Sequence, residues 1–294
     1  MVSAGLLLVA CGTATEQDSA DSAIAATEPP PLLSGEQGLD LPPNDGGFAF
    51  IAQDAITPEG QAIAELASPE LAFTVQQVNE TLIMPSVVDL TFGEGIERDG
   101  EVVEGPYFAG DEIVFPVEFL LDTQEALAET GEFTDDEIVQ TTIDTGVFVA
   151  LHEMGHAVVH HLDIPVVGQE EDAVDYFAVV MLAATTGAEV SPLEPASVVL
   201  SAAESQDAGA VEPDEASYWD EHTISQQRAR NLVCLAAGSS GEAYQLIAES
   251  GEVPVERLDR CPSEYVNTLR GWLRLMEGNY HPKAEAEIEA ALEQ

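Results

Sequence analysis

Apolar residues recur at three- and four-residue spacing along most of this chain, and the extended-looking runs are short and confined to its first half. Residues 61–67 and, after a Ser68-Pro69 start signal, residues 70–83 predict two helices. Ser86 to Phe92 then reads as a strand ahead of Gly93-Glu94-Gly95, and Gly105 to Phe108 and Glu112 to Pro116 as further strands around a Gly110-Asp111 turn. The acidic turn Asp135-Asp136-Glu137 opens a helix expected over about 135–162, which Asp163 to Gly168 stops. The chain can then return antiparallel, with a second helix over Gln169 to Val180. Ala196 to Glu204, Ser225 to Ala237, Glu242 to Ser250 and Ser263 to Met276 predict the helices of a C-terminal subdomain. A small sheet followed by helices is an α+β pattern.

The long central helix carries the chemistry. His152-Glu153-Met154-Gly155-His156 is an HExxH sequence inside an apolar run, Phe148 to Leu151 before it and Ala157 to Val159 after it. Residues four apart on a helix share a face, with Cβ atoms about 5–6 Å apart, so His152 and His156 can bind one Zn²⁺. Zinc lowers the pKa of a bound water from about 15.7 toward ~7, and Glu153, one step round the helix, can take its proton. The bland alternative is a core helix with two histidines. His160 continues the same ladder one turn later and reads as a rim residue, while His161 points elsewhere.

A catalytic zinc needs a third protein ligand, and the first turn of the next helix offers Glu170, Glu171 and Asp172. Glu171 and Asp175 are four apart, hence on one face. These residues resemble the gluzincin metallopeptidases, in which a glutamate ligand follows HExxH and an aspartate four residues later orients the first histidine. The resemblance implies Glu171 as ligand and Asp175 as the acceptor of the His152 ring N–H, which fixes its tautomer. Glu171 lies fifteen residues past His156, a shorter spacing than in many gluzincins, so Glu170 and Asp172 stay open as alternatives.

Read onward, HExxH, the segment Leu162 to Ala173, Asp220-Glu221-His222 with Gln226-Gln227-Arg228, and then Cys234 and Cys261 are similar to a bacterial metallopeptidase family known as domain of unknown function 4344. The resemblance covers about residues 47–280 and implies a zincin-like fold, with the small N-terminal sheet packed on the HExxH helix, and peptidase chemistry on a peptide or protein substrate. By the same resemblance Glu112 to Phe115 would be the edge strand that pairs with extended substrate. His222 stands before Thr223-Ile224-Ser225-Gln226, a capping-box pattern, and is the candidate to help stabilise an oxyanion; Tyr218 is second, and a plain polar helix start is the alternative. Arg228 would bind a substrate carboxylate or pair with an acidic side chain, and pairing is favoured. A catalytically weak zincin-like lipoprotein that binds peptide or metal is the rival reading of the whole chain.

Charge narrows the partners. The chain has 55 acidic residues against 8 basic, a net charge of −47, and Lys283 is its only lysine. Such a surface repels phosphate backbones, which argues against nucleic acid. It looks like the proteins of salt-adapted organisms. Thermal unfolding should therefore shift upward in molar salt, and equal midpoints with and without salt would count against that reading.

The N-terminus suggests an address. Gly5 to Ala10 is a short apolar stretch, and Leu8-Val9-Ala10-Cys11 resembles a bacterial lipobox, although Met1-Val2-Ser3 lacks the usual Lys or Arg. Residues 1–10 would then be a lipoprotein signal peptide, with Cys11 lipidated and the protein exported as a cell-envelope lipoprotein on the extracytoplasmic face of a bacterial membrane. An incidental cysteine in a disordered terminus is the alternative. Residues 11–46, with Pro29-Pro30-Pro31 and Pro42-Pro43, read as a disordered acidic linker, 47–280 as the catalytic domain and 281–294 as a tail. Export would leave Cys234 and Cys261 as a disulfide pair, worth about 3–4 kcal/mol on the chain-entropy model, with two buried thiols as the alternative.

Overall fold

The computed structural model describes residues 46–185, 198–204, 225–251 and 253–282, together with 284, 285 and 288. Cys11, Tyr218 and His222 lie outside the described residues, as do the proposed signal peptide and all but the last residue of the linker. The architecture is α+β: a small N-terminal sheet followed by helices. No described helix is long and apolar enough to cross a membrane.

The sheet holds β1 (Gly47–Ala52), β2 (Val87–Gly93), β5 (Tyr107–Phe108) and β6 (Glu112–Pro116) in the order β1-β2-β6-β5, while β3 (Glu97–Arg98) and β4 (Glu101–Val102) form a separate hairpin. β1, β2 and β6 are parallel. Two parallel neighbours need a crossover, and α1 (Pro58–Thr81) supplies it between β1 and β2. Val88, Leu90 and Phe92 of β2 and Ile113 and Phe115 of β6 point into the core. Arg98 of the hairpin pairs with Glu112 of β6, whose carboxylate also accepts from the Thr91 hydroxyl at 2.8 Å.

Two sequence expectations are corrected here. The helices expected on either side of Ser68-Pro69 are one helix, α1, with Pro69 inside it on its exposed side. Its buried stripe, Ile63, Ala67, Leu71, Val75 and Val78, runs unbroken past the proline, so packing of one continuous face outweighs the roughly 3 kcal/mol cost of an interior proline. The second correction concerns the edge strand. β6 is interior, flanked by β2 and β5, and the edge on that side is the two-residue β5. Gly110, at φ +78°, turns the chain back so that Phe108 pairs with Ile113 and Tyr107 with Val114.

α2 (Val117–Thr130) leads to α3 (Asp135–His161), which begins and ends within a residue of expectation. Thr134 and Glu137 form a capping box at its start: the Thr134 N–H donates to Glu137 Oε2 at 2.8 Å and the Glu137 N–H to the Thr134 hydroxyl at 3.4 Å. Residues 150–155 of α3 are all buried. A left-handed Asp163 (φ +51°) helps reverse the chain, and α4 (Glu170–Thr185) packs back along α3. Gly155 makes that approach possible. A Cβ there would lie 2.9 Å from Val174 Cβ and 3.0 Å from a Phe177 ring carbon, both on α4.

The described C-terminal part is mainly helical: α5 (described over 198–204), α6 (Ser225–Ser239), α7 (Gly241–Ser250), the short α8 (Val255–Leu258) and α9 (Cys261–Leu275). The sequence pattern did not point to α8. Cys234 of α6 and Cys261 of α9 are joined by a disulfide, with Cα atoms 5.1 Å apart, as the cysteine count suggests. Trp272 of α9 meets Phe177 of α4 edge to face at 5.2 Å, which ties these helices to the core containing α3.

Candidate metal centre

The site grows from two antiparallel helices. α3 places His152 and His156 one turn apart on the face toward α4, their rings 5.0 Å apart between centroids. α4 answers with Glu170, Glu171 and Asp175. Its acidic first turn stands at the helix N-terminus, where the macrodipole favours negative charge.

Each imidazole is gripped from behind. His152 Nδ1 is 2.8 Å from Asp175 Oδ1, and His156 Nδ1 is 2.8 Å from Glu170 Oε1. Carboxylates accept, so both rings carry the proton on Nδ1 and turn Nε2 toward Glu171. Glu171 Oε2 lies 3.2 Å from His152 Nε2 and Glu171 Oε1 lies 3.4 Å from His156 Nε2. One ligand atom from each of His152, His156 and Glu171 can be chosen so that all three lie within 4.8 Å of one another. Tetrahedral zinc with bonds of about 2.0–2.1 Å keeps its ligand atoms about 3.3 Å apart, so the two short separations match the edges of such a site. This donor set could hold a metal ion.

Glu171 faces both histidines, and Glu170 sits behind His156 rather than in front of it. Glu153 is 1% exposed and lies close enough to His156 for its charge to favour the protonated ring. Arg228 of α6 pairs with an acidic side chain, and the partner is Asp175: Nε and Nη2 donate to its two oxygens at 2.9 and 2.8 Å. No local pattern links residues 53 apart, so spacing could not reveal this contact. His160 is exposed and tilts against Phe108, while His161 bonds the Gly110 carbonyl at 2.9 Å and the Ser86 hydroxyl at 3.2 Å; neither belongs to the ligand cluster.

A family profile described as "putative metallopeptidase", domain of unknown function 4344, matches residues 53–276. The chain belongs to this family. Comparison with curated proteins and with solved structures finds no match. The HExxH helix, its carboxylate partners and the disulfide all fall inside the span shared with the family. Family membership supports hydrolase chemistry at the level of class, and the His-His-Glu cluster supplies a place for the metal that the family description implies.

The charged groups of the cluster set one another's protonation. Burial opposes a charge on His156, but the Glu171 carboxylate bonded to it, with Glu153 and Glu170 adding, outweighs burial and the nearby His152, and its pKa is raised above 6.5. Burial likewise opposes an ionised Glu171, yet hydrogen bonds and charge from the two imidazoles hold its carboxyl far below the usual range. Asp175 is also held low against burial, chiefly by the Arg228 charge and by the His152 and Arg228 hydrogen bonds. A metal held by His156 would have to displace its proton, so affinity should rise with pH through that raised pKa. In the metal-free protein the sign is opposite: the His156 contribution to stability is complete below its ordinary value and is lost as pH climbs through the folded one. Thermal melts from about pH 6 to about pH 8 should show the zinc-induced rise in midpoint growing with pH. A rise that shrinks over that range would contradict the assignment.

Proposed function

We propose that the protein is a zinc-dependent peptidase. The observation that carries this reading is the convergence of two imidazole Nε2 atoms and one carboxylate from neighbouring helices, in a chain whose family is metallopeptidase by description. Three protein ligands, as these would be, is the donor count of catalytic rather than structural zinc. His152 and His156 would hold the ion through Nε2 and Glu171 through its carboxylate, while Asp175 and Glu170 keep the rings in the required tautomer. Zinc, when bound, supplies the charge that acidifies a water and polarises the scissile carbonyl. Glu153 takes the proton from the attacking water and returns it to the leaving amine, and its near-complete burial keeps bulk water from competing for that proton. His222 is our candidate donor to the oxyanion.

The substrate is a peptide or protein. We place the enzyme at the extracytoplasmic face of a bacterial membrane, anchored through Cys11, because the Leu8-Val9-Ala10-Cys11 sequence precedes a proline-bearing acidic stretch suited to a tether. Peptide cleavage by purified protein should disappear on treatment with a zinc chelator and return when one equivalent of zinc per chain is restored. Stoichiometric zinc without cleavage of any peptide pool would instead favour the metal- or peptide-binding reading.

A further inference from the structure

Arg228 enters the back of the candidate metal centre from a helix far away in sequence. Its side chain is 13% exposed, and it makes a two-point contact with Asp175, itself 2% exposed and bonded to His152 Nδ1 at 2.8 Å. Its Nη1 also lies 3.8 Å from Glu171 Oε2. One guanidinium therefore faces both the third ligand and the carboxylate that sets the first ligand's ring.

The position of Arg228 is in turn fixed by the C-terminal helices. α6 carries Arg228 and, less than two turns on, Cys234, whose disulfide partner Cys261 opens α9. Farther along α6, a Cβ at Gly238 would collide with the Cys261 carbonyl, so the two backbones touch as well. α9 returns to α4 through Trp272 on Phe177, two residues beyond Asp175. The links α4 to α9 to α6 and back to α4 through Arg228 form a closed set of contacts behind Asp175. A residue serving only to neutralise surplus acid would not need this bracing, since a flexible surface lysine would do.

We propose that Arg228 is a positioning residue for the metal centre: its fork locks the plane of Asp175, Asp175 holds the His152 ring with Nε2 toward Glu171, and the disulfide-linked α6–α9 pair keeps the fork in place. This rests on His152, His156 and Glu171 being the metal ligands. Two effects of the guanidinium oppose each other. Its orientation of Asp175 strengthens metal binding, whereas its charge near Glu171 repels a divalent ion. The direct bidentate contact outweighs the longer 3.8 Å approach, so removing Arg228 weakens binding.

The test is zinc affinity, measured by competition with a chromogenic chelator, for the wild type, R228K, R228Q, D175N and R228Q/D175N. R228Q is expected to bind zinc about tenfold more weakly or worse, and R228K, with a single point charge, to recover only part of the loss. Because Arg228 acts through Asp175, the double variant should be no weaker than D175N alone to within about threefold. With Co²⁺ as the probe, the visible spectrum of R228Q should shift from that of the wild type, which a general loss of stability would not produce. Unchanged or tighter zinc binding in folded R228Q, or losses in R228Q and D175N that multiply, would overturn the proposal. If R228Q does not fold by circular dichroism, R228K decides: several-fold weaker binding supports the role and wild-type affinity refutes it. A wild type that binds no zinc would defeat the ligand assignment itself and this inference with it, whereas normal wild-type binding with indifferent variants would defeat this inference alone.

Discussion

Glu153→Gln should keep one zinc per chain and lose peptide cleavage by about a hundredfold to ten-thousandfold, the span that a positioned general base contributes. Glutamine has nearly the same volume and can occupy a site only 1% exposed without opening a cavity, so fold and metal binding are spared. It cannot accept the proton. The loss should fall on kcat, with KM little changed, because the role proposed for Glu153 lies in the chemical step rather than in holding the peptide. Metal content by elemental analysis and steady-state rates on one peptide suffice. A variant within a few-fold of the wild-type rate would remove Glu153 from the mechanism.

Glu171→Ala should weaken zinc binding by clearly more than the roughly 10–100-fold that losing an outer hydrogen-bond partner costs. Glu170→Gln and Asp172→Asn should stay within that range. Position separates them: the Glu171 carboxylate lies within 3.4 Å of both imidazole Nε2 atoms, whereas Glu170 touches the opposite nitrogen of His156. Zinc titrations of the three variants separate a ligand from its neighbours. Comparable losses at 170 and 171 would mean that the carboxylate register differs from the one described.

Local signals in the sequence carried much of this site, and their reach explains where they stopped. HExxH sets two imidazoles on one face by helical spacing alone, and the Asp-Asp-Glu turn locates the start of α3 to within a residue. Glu171 and Asp175 were legible because a short connection brings α4 back along α3, so a separation of fifteen residues becomes a contact. Strand order is different. The Gly110-Asp111 turn signals that Tyr107 and Phe108 lie beside Glu112 to Pro116, but nothing local says which of the two strands ends the sheet, and Glu112 to Phe115 lies one strand in from the edge. Ser68-Pro69 misled for a related reason: the proline is a local break signal, while the continuous buried face of α1 is a tertiary fact. Arg228 could be read only as a cation seeking an acid, because its partner is chosen by the packing of α6 on α4 and α9.

The disulfide shows the same division. Counting cysteines pairs Cys234 with Cys261 once Cys11 is set aside, but the count does not tell what the bridge does. In the structure it clamps the helix that delivers Arg228 to the helix that packs on α4, so a feature expected to serve stability also bears on the geometry of the site.

The most direct test of the central claim is diffraction from zinc-loaded crystals collected at the zinc absorption edge. The account predicts one strong anomalous peak per chain, about 2.0–2.1 Å from His152 Nε2, His156 Nε2 and a Glu171 oxygen, with a fourth position open to solvent. A peak bound elsewhere, or bound to the two histidines with Glu171 turned away, would contradict it.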